Sequence, residues 1–278
     1  MDLNLFQSIL YGLFSGLAEI LPVSAPAHRA ILMKLFGQSG DSPLLSLMVH
    51  IAILAGLYYS CHTQILRLLR AQKLAAIPKR RRKRPLDTNS LMDIRVLRST
   101  LIPIILGFVF YPKVSSWGTN LLILGLLLLV NGVILYIPPY MPGSNKKSGT
   151  MSRLDGFLMG LGGGLSVLPG ISSIGTSTSI ASVCGVDRQY ALNTALLMNL
   201  AVTVGFIVFD FVALFTAGVG SVTFGFLFGC ILAAAAAFGG VYLAVKAMRA
   251  LAVNIGFSGF AYYSWGAALL AMILYIII

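Results

Sequence analysis

The segment SGLAEILPVSAPAH, residues 15–28, decides the fold because it places a carboxylate, a hydroxyl and an imidazole in an otherwise apolar region. Glu19 is the only glutamate of the chain. A charged side chain at membrane depth costs roughly 2.5–3.5 kcal/mol, so it is normally kept there for a function. Pro22 breaks the helix between Glu19 and Ser24, and a broken helix survives inside a bilayer where protein or a cavity surrounds it. The segment therefore predicts a polar pocket inside a membrane protein.

The composition also indicates an integral membrane protein. Of the 278 residues, 58% are hydrophobic and 10% are charged, whereas a soluble domain carries about 25% charged residues. Eleven of the 20 basic residues lie between Arg67 and Arg98. We interpret the basic segment 67–98 as cytoplasmic and in contact with anionic lipid headgroups, since short cytoplasmic loops gather lysine and arginine. Nucleic-acid binding by the run Lys79–Arg84 is the alternative, and the position of the run between apolar spans argues against it.

Hydropathy predicts six spanning helices and two interrupted hairpins. A spanning helix needs about 20 mainly apolar residues, and six stretches reach or approach that length: residues 44–62, 94–111, 118–137, 190–215, 221–248 and 257–278. Two further apolar regions are interrupted, residues 4–36 by prolines and residues 154–184 by Gly162–Gly164 and by Pro169-Gly170. We expect both regions to form re-entrant helical hairpins in an all-α membrane protein.

The two hairpins resemble each other, since residues 21–24 read LPVS and residues 168–172 read LPGIS. We therefore expect a single membrane domain, 1–278, built from a first repeat 1–137 and a second repeat 154–278. Each repeat is a hairpin followed by three spans, and three crossings reverse the direction of the chain. The repeats are then inverted, and their site is expected near the membrane midplane, where the broken helices meet.

The charges of the loops predict an orientation. If the basic loop 63–93 is cytoplasmic, residues 138–153 and the turn 249–256 are cytoplasmic too. The opposite loops hold Asp41 and Lys113 and few other charges. Both termini and the mouth of the first hairpin then face outward, and the site opens to the outer side.

Glu19, Ser24 and His28 form the first candidate group, and we predict a catalytic role for them. Their offsets across a proline break allow the three side chains to converge. A glutamate or a histidine can act as general acid or base, and Glu19 could also hold a divalent cation such as Mg²⁺ or Ca²⁺. The structural alternative is that Glu19 and His28 pair only to hold the hairpin together.

The segment PGISSIGTSTS, residues 169–179, forms the second candidate group. Glycines and small hydroxyl residues at a helix start expose backbone N–H groups, and the positive end of the helix dipole favours an anion. We predict a phosphate-binding loop with five contributing residues: Gly170, Ser172, Ser173, Gly175 and Thr176. The open alternative is that small residues permit close helix packing and the hydroxyls cap a helix.

Other polar residues of the apolar spans receive structural interpretations. His50 is expected to be a satisfied core histidine, with a position facing the cavity as the alternative, and Asp210 is expected to be solvated near the membrane surface. The asparagines are expected to bridge helices through hydrogen bonds; these are Asn131, Asn193 and Asn199.

The two candidate groups together resemble the undecaprenyl-diphosphate phosphatase family, the bacitracin-resistance proteins of BacA/UppP type. Those proteins carry the motifs E-G-x-x-E-x-L-P-V-S-S-x-G-H and P-G-x-S-R-S-G, which residues 15–28 and 169–175 match in part. The resemblance covers essentially the whole chain. It implies an inverted-repeat fold in the bacterial plasma membrane and a C55 isoprenoid diphosphate as ligand. It also implies outward-facing hydrolysis of the terminal phosphate, for the recycling of a cell-wall lipid carrier.

The chain departs from the family motifs at several positions. Ser15 replaces the leading glutamate, Ala25 replaces a serine, Ser173 replaces the arginine, and Asn193 stands where the family usually has a glutamate. Losing one preorganised donor can lower a rate by about 10²–10³-fold. Two hypotheses therefore remain, a membrane diphosphatase and a non-catalytic polyprenyl-phosphate binder or flippase on the same scaffold. By sequence, the nearest substitutes for the missing arginine are Arg29 and Arg188.

Overall fold

A computed structural model describes residues 3–38, 40–141, 145–218, 222–254 and 257–277, and every regular element within these ranges is helical. Single 3₁₀ turns connect some of the helices. The α-helices in chain order are α1 Leu5–Ile20, α2 Ala25–Leu35, α3 Pro43–Ala76, α4 Thr88–Val114, α5 Leu121–Tyr136, α6 Arg153–Leu165, α7 Ser173–Val183, α8 Arg188–Ala217, α9 Phe224–Asn254 and α10 Gly259–Ile277. The all-α prediction is confirmed. The termini were predicted to face outward, and the terminal residues 1–2 and 278 lie outside the described residues.

Within the described residues, six helices are long and apolar enough to cross a membrane, namely α3, α4, α5 with the 3₁₀ turn Pro138–Tyr140, α8, α9 and α10. Their outward faces carry large apolar side chains. On α4, for example, Ile102, Ile105 and Val109 are 57%, 62% and 65% exposed. A surface of this kind is solvated by lipid rather than water. The molecule is a multi-pass membrane protein, and the six predicted spans are confirmed.

The predicted basic loop 63–93 is wrong in its extent. Helix α3 continues to Ala76 and α4 begins at Thr88, because leucine, arginine, lysine and alanine after Cys61 favour a helix. The helix ends where Pro78 restricts the residue before it. At about 1.5 Å per residue, the 34 residues of α3 extend roughly 51 Å, against about 30 Å of hydrocarbon core. The basic end of α3 therefore extends beyond the hydrocarbon core as a continuation of the same helix.

The four remaining helices are too short to cross a membrane. Helices α1, α2, α6 and α7 contain 16, 11, 13 and 11 residues, so each measures about 16–24 Å. The break between α1 and α2 lies at Pro22 as predicted, whereas Pro26 lies in the first turn of α2, where its missing N–H is not needed. The break between α6 and α7 lies at residues 166–172.

The prediction that Gly162–Gly164 interrupts the second hairpin is wrong, because these glycines lie inside α6. They serve close packing instead. A Cβ at Gly164 would overlap the backbone of Pro103 on α4, and one at Gly162 would lie 2.7 Å from the amide nitrogen of Ser177 on α7.

Small residues also allow α1 to lie directly against α9. A Cβ at Gly12 would overlap the backbone of Ala233, and one at Gly16 would overlap that of Ala237. Elsewhere α4 packs against α6, α5 against α10, and α3 against α8 and α9. These contacts enclose the two broken segments, between α1 and α2 and between α6 and α7, inside the bundle.

Candidate active site

The two broken segments are joined by direct hydrogen bonds. The Gly170 amide donates to Ser24 Oγ over 2.9 Å, and the Ser172 hydroxyl donates to the Leu21 carbonyl over 3.4 Å. The two serines are also the N-caps of the helices that follow, since Ser24 accepts from Ala27 N and Ser172 from a backbone amide of α7. The sequence similarity of LPVS and LPGIS thus corresponds to two caps that meet in space.

Asn131 of α5 fixes both segments from one side. It is fully buried. Its Oδ1 accepts from Ser172 N over 2.9 Å, and its Nδ2 donates to Ser264 Oγ of α10 over 3.0 Å and to the Pro22 carbonyl over 3.4 Å. The prediction that Asn131 bridges helices is confirmed.

Glu19, in the last turn of α1, faces the second broken segment. Together with Ser166, Ser172 and Ser173 it lines a small cavity, here called the Glu19 pocket, of about 10 Å³. This is about the space of one water molecule. One oxygen of Glu19 accepts a hydrogen bond of 3.1 Å from Asn199 Nδ2 of α8. The structure therefore brings the predicted carboxylate and the predicted phosphate loop together.

The N-terminus of α7 supplies fewer free amides than the sequence predicts. The amides of Ser172 and Gly175 are engaged, the latter with Ser172 Oγ at 3.1 Å. Within the described residues, the amides of Ser173 and Ile174 have no acceptor, as expected for the first positions of a helix. The hydroxyls of Ser173 and Thr176 are buried and likewise lack partners there. The available donors are thus concentrated at the first turn of α7.

A larger cavity adjoins the Glu19 pocket, and we call it the Arg29 cavity. It measures about 240 Å³ and its polar lining includes Arg29, Lys34, Asp41, His50 and Asp210. Both cavities are lined in part by the same proline of α2 and the same phenylalanine of α8. A headgroup too large for the Glu19 pocket has room in the adjoining cavity.

A buried chain of three polar side chains forms one wall of the Arg29 cavity. Arg29 Nη1 donates to His50 Nε2 over 2.6 Å, and His50 Nδ1 donates to Asp210 Oδ2 over 2.5 Å. Since arginine can only donate, His50 carries its proton on Nδ1. The interfacial interpretation of Asp210 is wrong, because its carboxylate holds a histidine inside the bundle. His50 is a satisfied histidine, as predicted, although it also faces a cavity.

Arg29 and Arg188 differ sharply in their surroundings. Arg29 is 7% exposed and lines the cavity, whereas Arg188 is exposed at the start of α8. Of the two possible substitutes for the missing arginine, the structure places only Arg29 beside the candidate site. In the sequence, the one signal for this role of Arg29 was a basic side chain directly after His28 in an apolar segment.

The structure does not join the side chains of Glu19, Ser24 and His28 in one hydrogen-bonded group. His28 Nδ1 donates to the Ser24 carbonyl over 2.7 Å, and its Nε2 accepts from the Tyr263 hydroxyl of α10 over 2.8 Å. The reason is geometric, because α2 begins immediately after Ser24 and turns His28 toward α10. The structural alternative, a Glu19–His28 pair, is also not found, since Glu19 pairs with Asn199.

The Glu19 pocket offers one carboxylate to a divalent cation. No group of three or more His, Cys, Asp or Glu side chains that could hold a metal occurs in the part of the chain that the structure describes. Two buried oxygens without partners lie near Glu19, those of Ser173 and Asn199. Mg²⁺ is commonly held by one or two carboxylates and by the phosphates of its substrate. The residues present fit a cation that is shared with a phosphate ligand.

A comparison with known protein families identifies the family of this chain. The family model for the bacitracin resistance protein BacA matches residues 8–270. The chain belongs to the BacA family. It is 28% identical to an undecaprenyl-diphosphatase of Carboxydothermus hydrogenoformans over 269 residues, which cover 95% of this chain and 94% of the relative. It is 27% identical over 277 residues to an undecaprenyl-diphosphatase of Methanobrevibacter smithii, with 95% of each chain covered.

Three departures of this BacA-family chain from the motifs named above lie in or near the site. Ser15 is fully buried and donates to the Tyr11 carbonyl of its own helix over 2.6 Å, so it adds no charge to the site. Ser173 and Ala25 both line the Glu19 pocket. The pocket thus keeps a free hydroxyl and a single carboxylate.

Proposed function

We propose that this protein is an undecaprenyl-diphosphatase, which hydrolyses the C55 isoprenoid diphosphate carrier to the monophosphate for cell-wall precursor recycling. The observation that carries the proposal is the position of Glu19, a buried carboxylate that faces the free donors of α7 beside a cavity of about 240 Å³. The relatives named above, which match over nearly their whole length, are described as enzymes of this activity.

In the proposed reaction, the oxygen of a water molecule attacks the terminal phosphorus. The bond between that phosphorus and the bridging oxygen breaks, and the lipid monophosphate leaves with the bridging oxygen. Glu19 accepts the proton of the attacking water as general base, with its carboxylate oriented by Asn199. The amides of Ser173 and Ile174 and the Ser173 hydroxyl stabilise the charge that develops on the phosphoryl oxygens.

The other predicted residues act in this proposal by positioning. Ser24 and Gly170 hold the two broken segments together through their hydrogen bond. His28 anchors α2 to α10 through Tyr263. A divalent cation, Mg²⁺ or Ca²⁺, would be held by Glu19 and the phosphate oxygens, and it would supply charge neutralisation when bound.

We further propose that the short helix pairs α1–α2 and α6–α7 are re-entrant hairpins of an inverted repeat. Their lengths of about 16–24 Å and the matched caps Ser24 and Ser172 support this. In the orientation proposed from the loop charges, the protein lies in the bacterial plasma membrane and the site opens to the outer side. The basic segment 67–98 then meets the anionic headgroups of the inner leaflet.

A non-catalytic binder or flippase on the same scaffold is not favoured. The relatives are described as diphosphatases, and the chain retains a carboxylate, Glu19, that can serve as general base.

The test is release of inorganic phosphate from undecaprenyl diphosphate by the purified protein, with Mg²⁺ or Ca²⁺ present. We expect the wild type to be active and Glu19→Gln to be slower by about 10²–10⁴-fold, because the amide cannot accept the proton. The matched control is Asp87→Asn, the same carboxylate-to-amide change at the exposed N-cap of α4, which should leave the rate unchanged. An inactive wild type, or an active Glu19→Gln variant, would contradict the proposal.

A further inference from the structure

The Arg29 guanidinium has more donors than the protein uses. It carries five N–H groups, and in the described part of the chain it makes one hydrogen bond, to His50. Its Nε lies 4.0 Å from Asp41 Oδ2, an ion-pair distance rather than a hydrogen bond. The remaining donors are not among the buried atoms without a partner, so they are accessible from the cavity, where a carboxylate or phosphate ligand would match their planar geometry. The free donors line the Arg29 cavity.

The orientation of this guanidinium is fixed from two sides. The chain from Arg29 through His50 to Asp210 holds one edge. Asp41 attracts the other edge from 4.0 Å without a hydrogen bond, and it is itself fixed by a hydrogen bond of 2.6 Å from the Tyr11 hydroxyl. The two carboxylates balance the charges of Arg29 and Lys34 in the cavity lining. Recognition by this cavity therefore depends on a directed set of N–H groups rather than on surplus charge.

The position of Arg29 also suits a ligand that reaches Glu19. The Glu19 pocket has room for about one water, so it takes the attacking water and an edge of the phosphoryl group, and the rest of the headgroup must lie elsewhere. The Arg29 cavity has room, and the two share part of their lining.

We propose that the Arg29 cavity is a phosphate-binding site, in which Arg29 contacts the phosphate oxygens and His50 and Asp210 position it. This deepens the proposed function and rests on it for the identity of the lipid. The phosphate belongs either to the substrate or to the released product, and the chemistry of recognition is the same for both.

The experiment compares Arg29→Gln, Arg29→Lys and the control Arg188→Gln, an exposed arginine on α8. Three quantities are measured: KM for undecaprenyl diphosphate, the inhibition constant of inorganic phosphate, and the rise in unfolding temperature with added phosphate. Arg29→Gln should weaken phosphate binding by roughly 10- to 100-fold, the effect of one charge-assisted contact. Arg29→Lys should lose less, because it keeps the charge but not the planar fork. The control should match the wild type.

The pattern of losses identifies the ligand. A rise in both KM and the inhibition constant places the terminal phosphate of the lipid beside Arg29, whereas a rise in the inhibition constant alone places the released phosphate there. The double variant Arg29→Gln with Ser173→Arg returns a guanidinium to the first turn of α7, and partial recovery of KM would support the substrate assignment. Wild-type values for Arg29→Gln in all three measurements would overturn the proposal.

The design separates this proposal from the proposed function. If the wild type releases no phosphate but is stabilised by phosphate through Arg29, the anion site stands and the diphosphatase proposal fails. If the wild type is active and Arg29→Gln is unchanged, the diphosphatase proposal stands and the anion site fails. If Arg29→Gln does not fold, His50→Gln, which removes only the positioning contact, should give a smaller loss in the same direction.

Discussion

Replacement of Asn131 by leucine tests whether the site is held together by one buried amide. The side chain has no exposed surface and joins both broken segments to α10. Leucine has a similar volume and would keep the packing of α5, so the change removes mainly polar contacts. Asn131 is therefore the point at which a small substitution should affect the geometry of both segments.

The magnitude follows from the three contacts. The two shorter bonds, to Ser172 N and Ser264 Oγ, contribute about 0.6–1.5 kcal/mol each, and the contact of 3.4 Å to Pro22 contributes little. Removing Asn131 also leaves the Ser172 amide buried without an acceptor, which costs about 1–3 kcal/mol. The cost of the unpaired Ser172 amide replaces the contribution of its lost bond, so together with the Ser264 bond we expect a total loss of about 2–4 kcal/mol. At about 3 °C per kcal/mol, this lowers the unfolding temperature by roughly 6–12 °C.

The assay is thermal unfolding in detergent at a fixed heating rate, together with phosphate release below the transition. Ser264→Ala is the matched control, because it removes a single bond of the same network and should cost about 1 kcal/mol or less. Asn131→Leu should also lower kcat, since the cap of α7 shifts when the Ser172 amide is released. Equal stability losses in the two variants would refute the reasoning, because the Ser172 amide would then not depend on Asn131.

Two further predictions test the orientation and the basic segment. In a chain without its native cysteines, Lys113→Cys should react with a membrane-impermeant thiol reagent added from outside, and labelling from the inside alone would reverse the proposed topology. Neutral replacements throughout Lys79–Arg84 should leave kcat unchanged in detergent. In mixed bilayers they should reduce the enrichment of anionic lipid around the protein, at about 1 kcal/mol per charge near the surface, and unchanged enrichment would contradict the proposed lipid contact.

Much of the fold could be predicted because hydropathy and proline act locally. The spans follow from apolar runs, and the break after Glu19 follows from Pro22. The end of α3 was missed because an apolar window stops at the membrane surface, whereas the helix continues to Ala76 through residues that favour helices in water as well. Gly162–Gly164 was wrongly predicted to interrupt a helix, because the sequence does not show the packing of these glycines. A glycine weakens an isolated helix, but here packing against α4 and α7 outweighs that cost.

The candidate site could be predicted only in part, because its contacts join distant parts of the chain. The encounter of the Glu19 region with Ser172 was foreseeable from the repeated LPVS and LPGIS segments. The partners of Glu19 and His50 were not, since they lie on α8, 180 and 160 positions later in the sequence. Nothing local to Asn199 or Asp210 indicates which helix faces it. The sequence named Arg29 and Arg188 as equal substitutes for the missing arginine, and it could not choose between them because the cavity beside Arg29 is enclosed by several helices.

The distribution of unsatisfied polar atoms argues that the site is kept for a ligand. Five buried side-chain oxygens lack a hydrogen-bond partner in the described part of the chain, and three of them, in Ser173, Thr176 and Asn199, lie on the first turn of α7 or beside Glu19. Each such group costs about 1–3 kcal/mol where it stays unpaired. Random imperfections of packing would scatter these atoms through the bundle. Their concentration where two free amides and a carboxylate also meet is explained if the phosphoryl oxygens accept from the two hydroxyls and a water or a cation contacts Asn199 Oδ1.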